Sequence, residues 1–132
     1  MKLQFFNSYT MEKEQFRPIV DGQVGMYVCG PTVYDFPHIG NARPLVVFDV
    51  LYRLLLKIFG KNKVIYVRNI TDIDDKIIES SKKNKVPIDM LTTSTTKSFH
   101  DDCVYLNCLK PSFEPKATEH IKDMITMTEN LL

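Results

Sequence analysis

At 132 residues, with 44% hydrophobic and 25% charged, the chain has the composition of one compact domain or of part of a larger one, which excludes disorder, collagen-like repeats and low-complexity polymers. Seventeen Lys and Arg against sixteen Asp and Glu leave a net charge of +1, so no global field draws the molecule to nucleic acid or anionic lipid; any such partner must be recognised locally. Three cysteines at irregular spacing, Cys29, Cys103 and Cys108, exclude a disulfide scaffold and predict a reducing, cytoplasmic compartment, and the most apolar stretch, Pro44 to Phe59, is interrupted by Asp49, Arg53 and Lys57 and predicts no membrane span.

In chain order, Leu3 to Phe6 and Val24 to Cys29 are short apolar runs separated by the turn residues Pro18, Asp21 and Gly22, and predict two early strands. The twelve residues from Gly30 to Asn41 contain two prolines and two glycines and predict a shaped loop, with Asn41 as the cap of the helix that follows. From Arg43 to Phe59 the residues Val47, Val50, Leu51, Leu54 and Ile58 recur at helical spacing. Asp49, Arg53 and Lys57 stand on another face, and Gly60 stops the helix. With the β-branched run Val64 to Val67, this gives strand, loop, helix, strand: a right-handed βαβ unit with a parallel sheet.

A second helix is predicted over Thr71 to Lys83, capped from Thr-Asp-Ile-Asp-Asp, and a third over Pro87 to Leu106, weakened by the threonine-rich run 92–96. The last, after Pro115 with Thr118 as its cap, carries the stripe Ile121, Met124, Ile125, Thr128, Leu131 and Leu132. Ending on apolar Leu131-Leu132 predicts a chain that continues, against the alternative of a docked terminal helix, and exposure of that stripe predicts self-association of the isolated piece.

In a doubly wound sheet, ligands bind beyond the carboxyl ends of the strands, and the first βα connection holds Cys29, Gly30, Thr32, His38, Gly40 and Asn41. Gly40 and Asn41 fall at the amino end of the long helix, where unpaired amides and the helix dipole favour phosphate oxygens, with His38 beside them as a donor. The spacing is neither the phosphate loop with its lysine nor the Gly-x-Gly-x-x-Gly turn. Asp72, Asp74 and Asp75 read as capping residues in preference to a magnesium site. His100 and Cys103, one helical turn apart, do not make a metal site, and Cys108 and His120 read as packing and surface residues.

The tetrapeptide His38-Ile39-Gly40-Asn41 is a variant of the His-Ile-Gly-His signature of class I aminoacyl-tRNA synthetases. Met26 to Asp35, Tyr66 to Ile77 and Glu114 to Thr118 narrow the match, and together they resemble the cysteinyl-tRNA synthetase family over nearly the whole chain. The resemblance implies an α/β fold with a Rossmann-like parallel sheet and flanking helices. Residues 1–110 would be the amino-terminal half of the catalytic domain, and residues 111–132 the start of a connecting insertion. It implies that Cys29 is one ligand of a zinc ion that takes the thiolate of substrate cysteine, the remaining ligands lying later in the family's chain. Gly30, Thr32 and Thr71 would line the amino acid pocket, and His38, Gly40 and Asn41 would hold ATP with its Mg2+, His38 and Asn41 being the catalytic pair. Asn41 departs from the signature, which has its second histidine there.

The implied reaction is ATP-dependent activation of cysteine to cysteinyl adenylate and transfer to tRNA(Cys), by a cytoplasmic enzyme that is monomeric when complete and has no membrane partner. The second, lysine-containing signature of the class is absent from these residues, so the resemblance implies that they are inactive alone. Two other readings stay open: a ligase joining activated cysteine to an amino-sugar in thiol biosynthesis, and a non-catalytic nucleotide-binding paralogue.

Overall fold

Between Val24 and Arg68 the chain runs strand, helix, strand, and the two strands pair side by side in parallel. These are β3 (Val24–Val28) and β4 (Val64–Arg68), joined by α1 (Ile39–Phe59) in an α/β computed structural model that describes residues 3–132. Alternation builds the pair. Val24, Met26, Val28, Val64, Tyr66 and Arg68 are buried while Gly25, Tyr27 and Ile65 are exposed, the two-residue period of a sheet covered on one face. The cover is α1, whose Tyr52 and Leu55 share a core with the strand residues and whose Phe48, Leu51, Leu56 and Phe59 pack against it.

The inward face of the helix is rotated from the predicted one: Leu51 packs on the core and Leu54 and Ile58 are half-buried as expected, but the other two predicted positions are not. Val47 and Val50 are 56% and 60% exposed, whereas Asp49, placed by the sequence on a polar face, is buried. Asp49 Oδ1 accepts from the Leu109 amide at 2.7 Å and Oδ2 from Arg53 Nε at 2.6 Å, and Arg53 Nη2 reaches the Asn107 carbonyl at 2.6 Å. A buried carboxylate is tolerated when it is paired and hydrogen-bonded, and here it ties the returning chain at 107–109 to the helix. Apolar residues surround so much of α1 that periodicity does not single out one face.

Two further elements differ from expectation. The first predicted strand is β1 (Gln4–Asn7), which pairs antiparallel with an unpredicted β2 (Glu12–Gln15) instead of joining the parallel pair. All four residues of β2, Glu-Lys-Glu-Gln, are exposed, so it lacks the apolar alternation that announces a strand. The hairpin docks through Phe16, whose ring lies 5.4 Å from Phe5 and 6.2 Å from Phe59. On the far edge of β4, residues 112–117 run parallel to it: Ser112 N donates to Tyr66 O, Arg68 N to Phe113 O, Ile70 N to Pro115 O and Ala117 N to Ile70 O. Pro115 has no N–H to offer, and it sits where only its carbonyl is needed.

A second core of Val33, Ile70, Ile77, Phe99 and Cys103 is enclosed by α2 (Asp75–Asn84) and α3 (Ile88–Tyr105). The helix α2 begins at Asp75, not Thr71, because the Thr71 amide is drawn back to the Pro31 carbonyl; Asp74 is the cap, its Oδ1 accepting from Lys76 N at 2.9 Å. Asp72 caps nothing. It holds Thr118 by amide and hydroxyl at 3.0 and 2.6 Å, so Thr118, predicted to cap the last helix, is a tether instead. A 3-10 turn over 117–120 then leads into α4 (Ile121–Leu131), which has no buried residue. Within α3 the buried Thr95 hydroxyl lies 2.8 Å from both the Leu91 and Val33 carbonyls, which satisfies the threonine and pins the loop to the helix. No helix among the described residues is long and apolar enough to cross a membrane.

Burial raises the Cys103 and Cys108 thiols and the Tyr66 phenol above their ordinary values. The unfolded thiols titrate near 9.0, below the folded ones, so their contribution is complete below that pH and is lost as pH rises through the folded values. Urea denaturation is therefore expected to give a constant midpoint up to about pH 8 and a falling one above about pH 9, less steeply in Cys103→Ala. A midpoint flat to about pH 10.5 would contradict the burial of these groups.

Candidate active site

Three stretches meet beyond the carboxyl ends of β3 and β4. Cys29 leaves β3 exposed, with its thiol free. Next to it the backbone of Gly30 passes so close to the continuation of β4 that a Cβ there would lie 1.6 Å from the Asn69 carbonyl oxygen and 2.8 Å from its carbon. Only glycine fits this approach. The two chains then pair again: Thr71 N donates to Pro31 O at 3.0 Å and Val33 N to Thr71 O at 3.1 Å, which makes Thr32 and Thr71 bridge partners.

The third stretch is the start of α1, four residues earlier than predicted and capped by His38 instead of Asn41. His38 is extended (φ −128°, ψ 172°), and its Nδ1 accepts from Gly40 N at 3.0 Å while Asn41 Oδ1 accepts from His38 N at 2.9 Å. This is a capping box built from histidine and asparagine. Because Nδ1 accepts, the ring proton of neutral His38 is on Nε2, and the exposed ring offers that N–H outward. The ring also explains Gly40, where a Cβ would meet His38 Cε1 at 2.7 Å and Nδ1 at 2.9 Å. No acidic side chain occupies the first turn of α1, so no residue of that turn offsets the positive end of its dipole, which favours an anion; Asp102 of α3 lines the hollow beside it.

Asn41 lies at the junction of three concavities. One, of about 70 Å³, is shared with Cys29, Gly30, Pro44 and Arg68; one, of about 40 Å³, with Thr32, Tyr34 and His38; and one, of about 200 Å³, with Ile39, Ala42, Tyr105 and Leu106. Larger hollows, of about 360 and 460 Å³, lie elsewhere, around Arg17–Val20 and around Cys108–Pro111. The structure thus gathers Cys29, Gly30, Thr32, His38, Gly40, Asn41 and Thr71 at one end of the sheet. Cys29 is the one candidate metal ligand among them; the described residues contain no group of three or more His, Cys, Asp or Glu side chains able to hold an ion, so they offer a single sulfur and not a complete site.

Sequence reasoning missed two supports of this site. Arg68, only 3% exposed, donates from Nε and Nη2 to Glu114 Oε1 at 3.1 and 2.7 Å, and Glu114 Oε2 pairs with His100 Nε2 at 2.6 Å. The guanidinium stacks 4.9 Å from the centre of the Phe99 ring. Burial opposes its charge, but the Glu114 hydrogen bonds, together with charge interactions with Cys103, Glu114 and Tyr66, hold its pKa above the ordinary value. The signal was present, since the alternation of Val64 and Tyr66 puts Arg68 on the same covered face. Glu114→Gln, which keeps an acceptor and removes the charge, is expected to cost about 2 kcal/mol in chemical denaturation; an unchanged midpoint would mean the pair is not buried.

The second support is Asn69, which bonds to Gly30 and Thr71.

A family profile described as tRNA synthetases class I (C) catalytic domain matches residues 15–132. Among curated proteins, the chain is 54% identical over its full length to Cysteine--tRNA ligase of Rickettsia prowazekii (strain Madrid E) and 56% identical over its full length to that of Paramagnetospirillum magneticum (strain ATCC 700264 / AMB-1). It is 55% identical over 96% of its length to that of Pelagibacter ubique (strain HTCC1062). It spans 29%, 28% and 28% of the lengths of these three relatives, in the order named. With a match over residues 15–132 and identities above one half, the chain belongs to the class I (C) tRNA synthetase catalytic-domain family.

Proposed function

We propose that the full-length protein activates cysteine with ATP and transfers the cysteinyl group to tRNA(Cys), and that these residues supply the first half of its active site. The observation that carries this reading is the convergence of Cys29, Thr32, Thr71 and the His38–Asn41 capping box at the end of the β3–β4 pair, in a chain whose relatives are named Cysteine--tRNA ligase. A carboxylate oxygen of the amino acid attacks the α-phosphorus of Mg2+-bound ATP, the bond to the β-phosphate breaks, and pyrophosphate leaves an acyl adenylate. His38 Nε2–H and the free amides at the start of α1 face the charge that develops on the phosphate oxygens, and Gly40 lets the phosphates approach. Asn41, in place of a second histidine, closes the capping box by accepting from the His38 backbone N–H, which fixes the chain from which the ring projects. The Thr32 and Thr71 hydroxyls receive the polar atoms of the amino acid, and Gly30 brings bare backbone beside them.

Cys29 would be one ligand of a zinc ion whose other donors lie outside these residues. Zinc held there would supply a soft Lewis acid that prefers the thiolate of cysteine to the hydroxyl of serine. Residues 1–110 form, in this reading, half of the catalytic domain, and residues 111–132 begin a connecting insertion that departs along the β4 edge. The complete protein is a cytoplasmic monomer.

The test is ATP–pyrophosphate exchange by the full-length protein without tRNA. Exchange with cysteine, absent with serine and lost on zinc chelation, supports the reading; no exchange by folded, zinc-loaded protein overturns it. Residues 1–132 alone are expected to give no exchange.

A further inference from the structure

We infer that Asn69 is a positioning residue that fixes the donor direction of the Thr71 hydroxyl toward the amino acid substrate. The inference rests on the functional reading above and adds to it a residue outside the signature loop. Asn69 Oδ1 accepts from Gly30 N at 2.9 Å and from the Tyr27 hydroxyl at 3.0 Å, and Asn69 Nδ2 donates to Thr71 Oγ1 at 3.1 Å. The orientation of the amide follows from chemistry: Gly30 N–H can only donate, so the oxygen must face it and the NH2 must face Thr71. Thr71 Oγ1 therefore gives a lone pair to Asn69, and its own proton points away, available to an acceptor on the substrate. One side chain thus clamps the turn after Cys29 and sets the polarity of the hydroxyl across from it.

Asn69→Asp separates these two actions, because it has the same shape. A carboxylate still accepts from Gly30 N and Tyr27 OH, so the clamp persists, but it cannot donate. The Thr71 proton then turns to the new carboxylate and is lost to the substrate. In the full-length protein we expect the KM for cysteine in pyrophosphate exchange to rise about tenfold, the effect of one substrate hydrogen bond, with the KM for ATP within about twofold of wild type. In a Thr71→Val background the same substitution should add less than about twofold, which distinguishes action through Thr71 from repulsion by the new charge.

An unchanged cysteine KM in folded Asn69→Asp, or a tenfold rise that persists undiminished in Thr71→Val, overturns the inference. Should Asn69→Asp fail to fold by circular dichroism, Asn69→Ala decides in its place, measured with and without Thr71→Val. A rise in cysteine KM with ATP KM unchanged supports the role of the oriented hydroxyl, and an unchanged cysteine KM overturns it. Wild-type protein without cysteine-dependent exchange would instead remove the functional reading.

Discussion

Gly30→Ala is expected to unfold the candidate site or to cost the fold about 4 kcal/mol or more, at the extreme of what single substitutions do. The added carbon would lie 1.6 Å from the Asn69 carbonyl oxygen, roughly half of a normal contact. The obstacle is backbone, and backbone anchored on both sides. Gly30 N is bonded to the Asn69 side chain, Pro31 O accepts from Thr71 N, and Ile70 N is bonded to Pro115 O on the opposite edge. Neither chain can retreat without breaking the sheet extension that sets Thr32 beside Thr71. Gly25 supplies the control. It lies in β3, five residues before Gly30, and a Cβ built there meets nothing within 4 Å, so Gly25→Ala should change stability by no more than about 0.5 kcal/mol. Urea denaturation of both variants checks the contrast; equal midpoints would show that the close approach at Asn69 does not constrain the fold.

Gly30 also marks the limit of what the sequence discloses. The βαβ unit was legible because its signals are local: the short apolar run Val24 to Cys29, helical spacing through Phe59, and a β-branched run after Gly60. The candidate residues were legible through the tetrapeptide and its flanks. What reading along the chain did not reveal are pairings between distant positions. Gly30 must be glycine because of Asn69, 39 residues away, and Arg68 is tolerable inside because Glu114, 46 residues on, meets it. Asp49 is buried because Leu109 returns to it across 60 positions. The segment 112–117 takes its extended form from the free edge of β4, having no alternation of its own, and β2 is a strand because β1 lies opposite. Even the start of α1 was hidden by chemistry that sequence rules do not anticipate, since histidine is not among the favoured N-cap residues.

That cap gives the sharpest test of the chemistry, because the proposed function assigns His38 two roles, one on each ring nitrogen. Nδ1 accepts from Gly40 N and closes the helix, while Nε2–H is free to face a phosphate. His38→Asn divides them. Asparagine is among the best N-cap residues, and its Oδ1 can replace Nδ1 as the acceptor for Gly40, so stability should stay within about 1 kcal/mol of wild type. It has no donor at the position of Nε2. Loss of a donor aimed at developing charge is expected to slow cysteine-dependent pyrophosphate exchange by the full-length protein about 100- to 1,000-fold. Asn41→Ala gives the complementary profile: it removes the acceptor for His38 N, costs about 1 kcal/mol, and reduces exchange only through looser aim of the ring. If His38→Asn exchanged pyrophosphate at the wild-type rate, His38 would be a helix cap and nothing more, and the phosphate charge would fall to the free amides of α1 alone. A stable His38→Asn protein that has lost exchange would place the catalytic contribution on Nε2, since the helix start it leaves behind is otherwise intact.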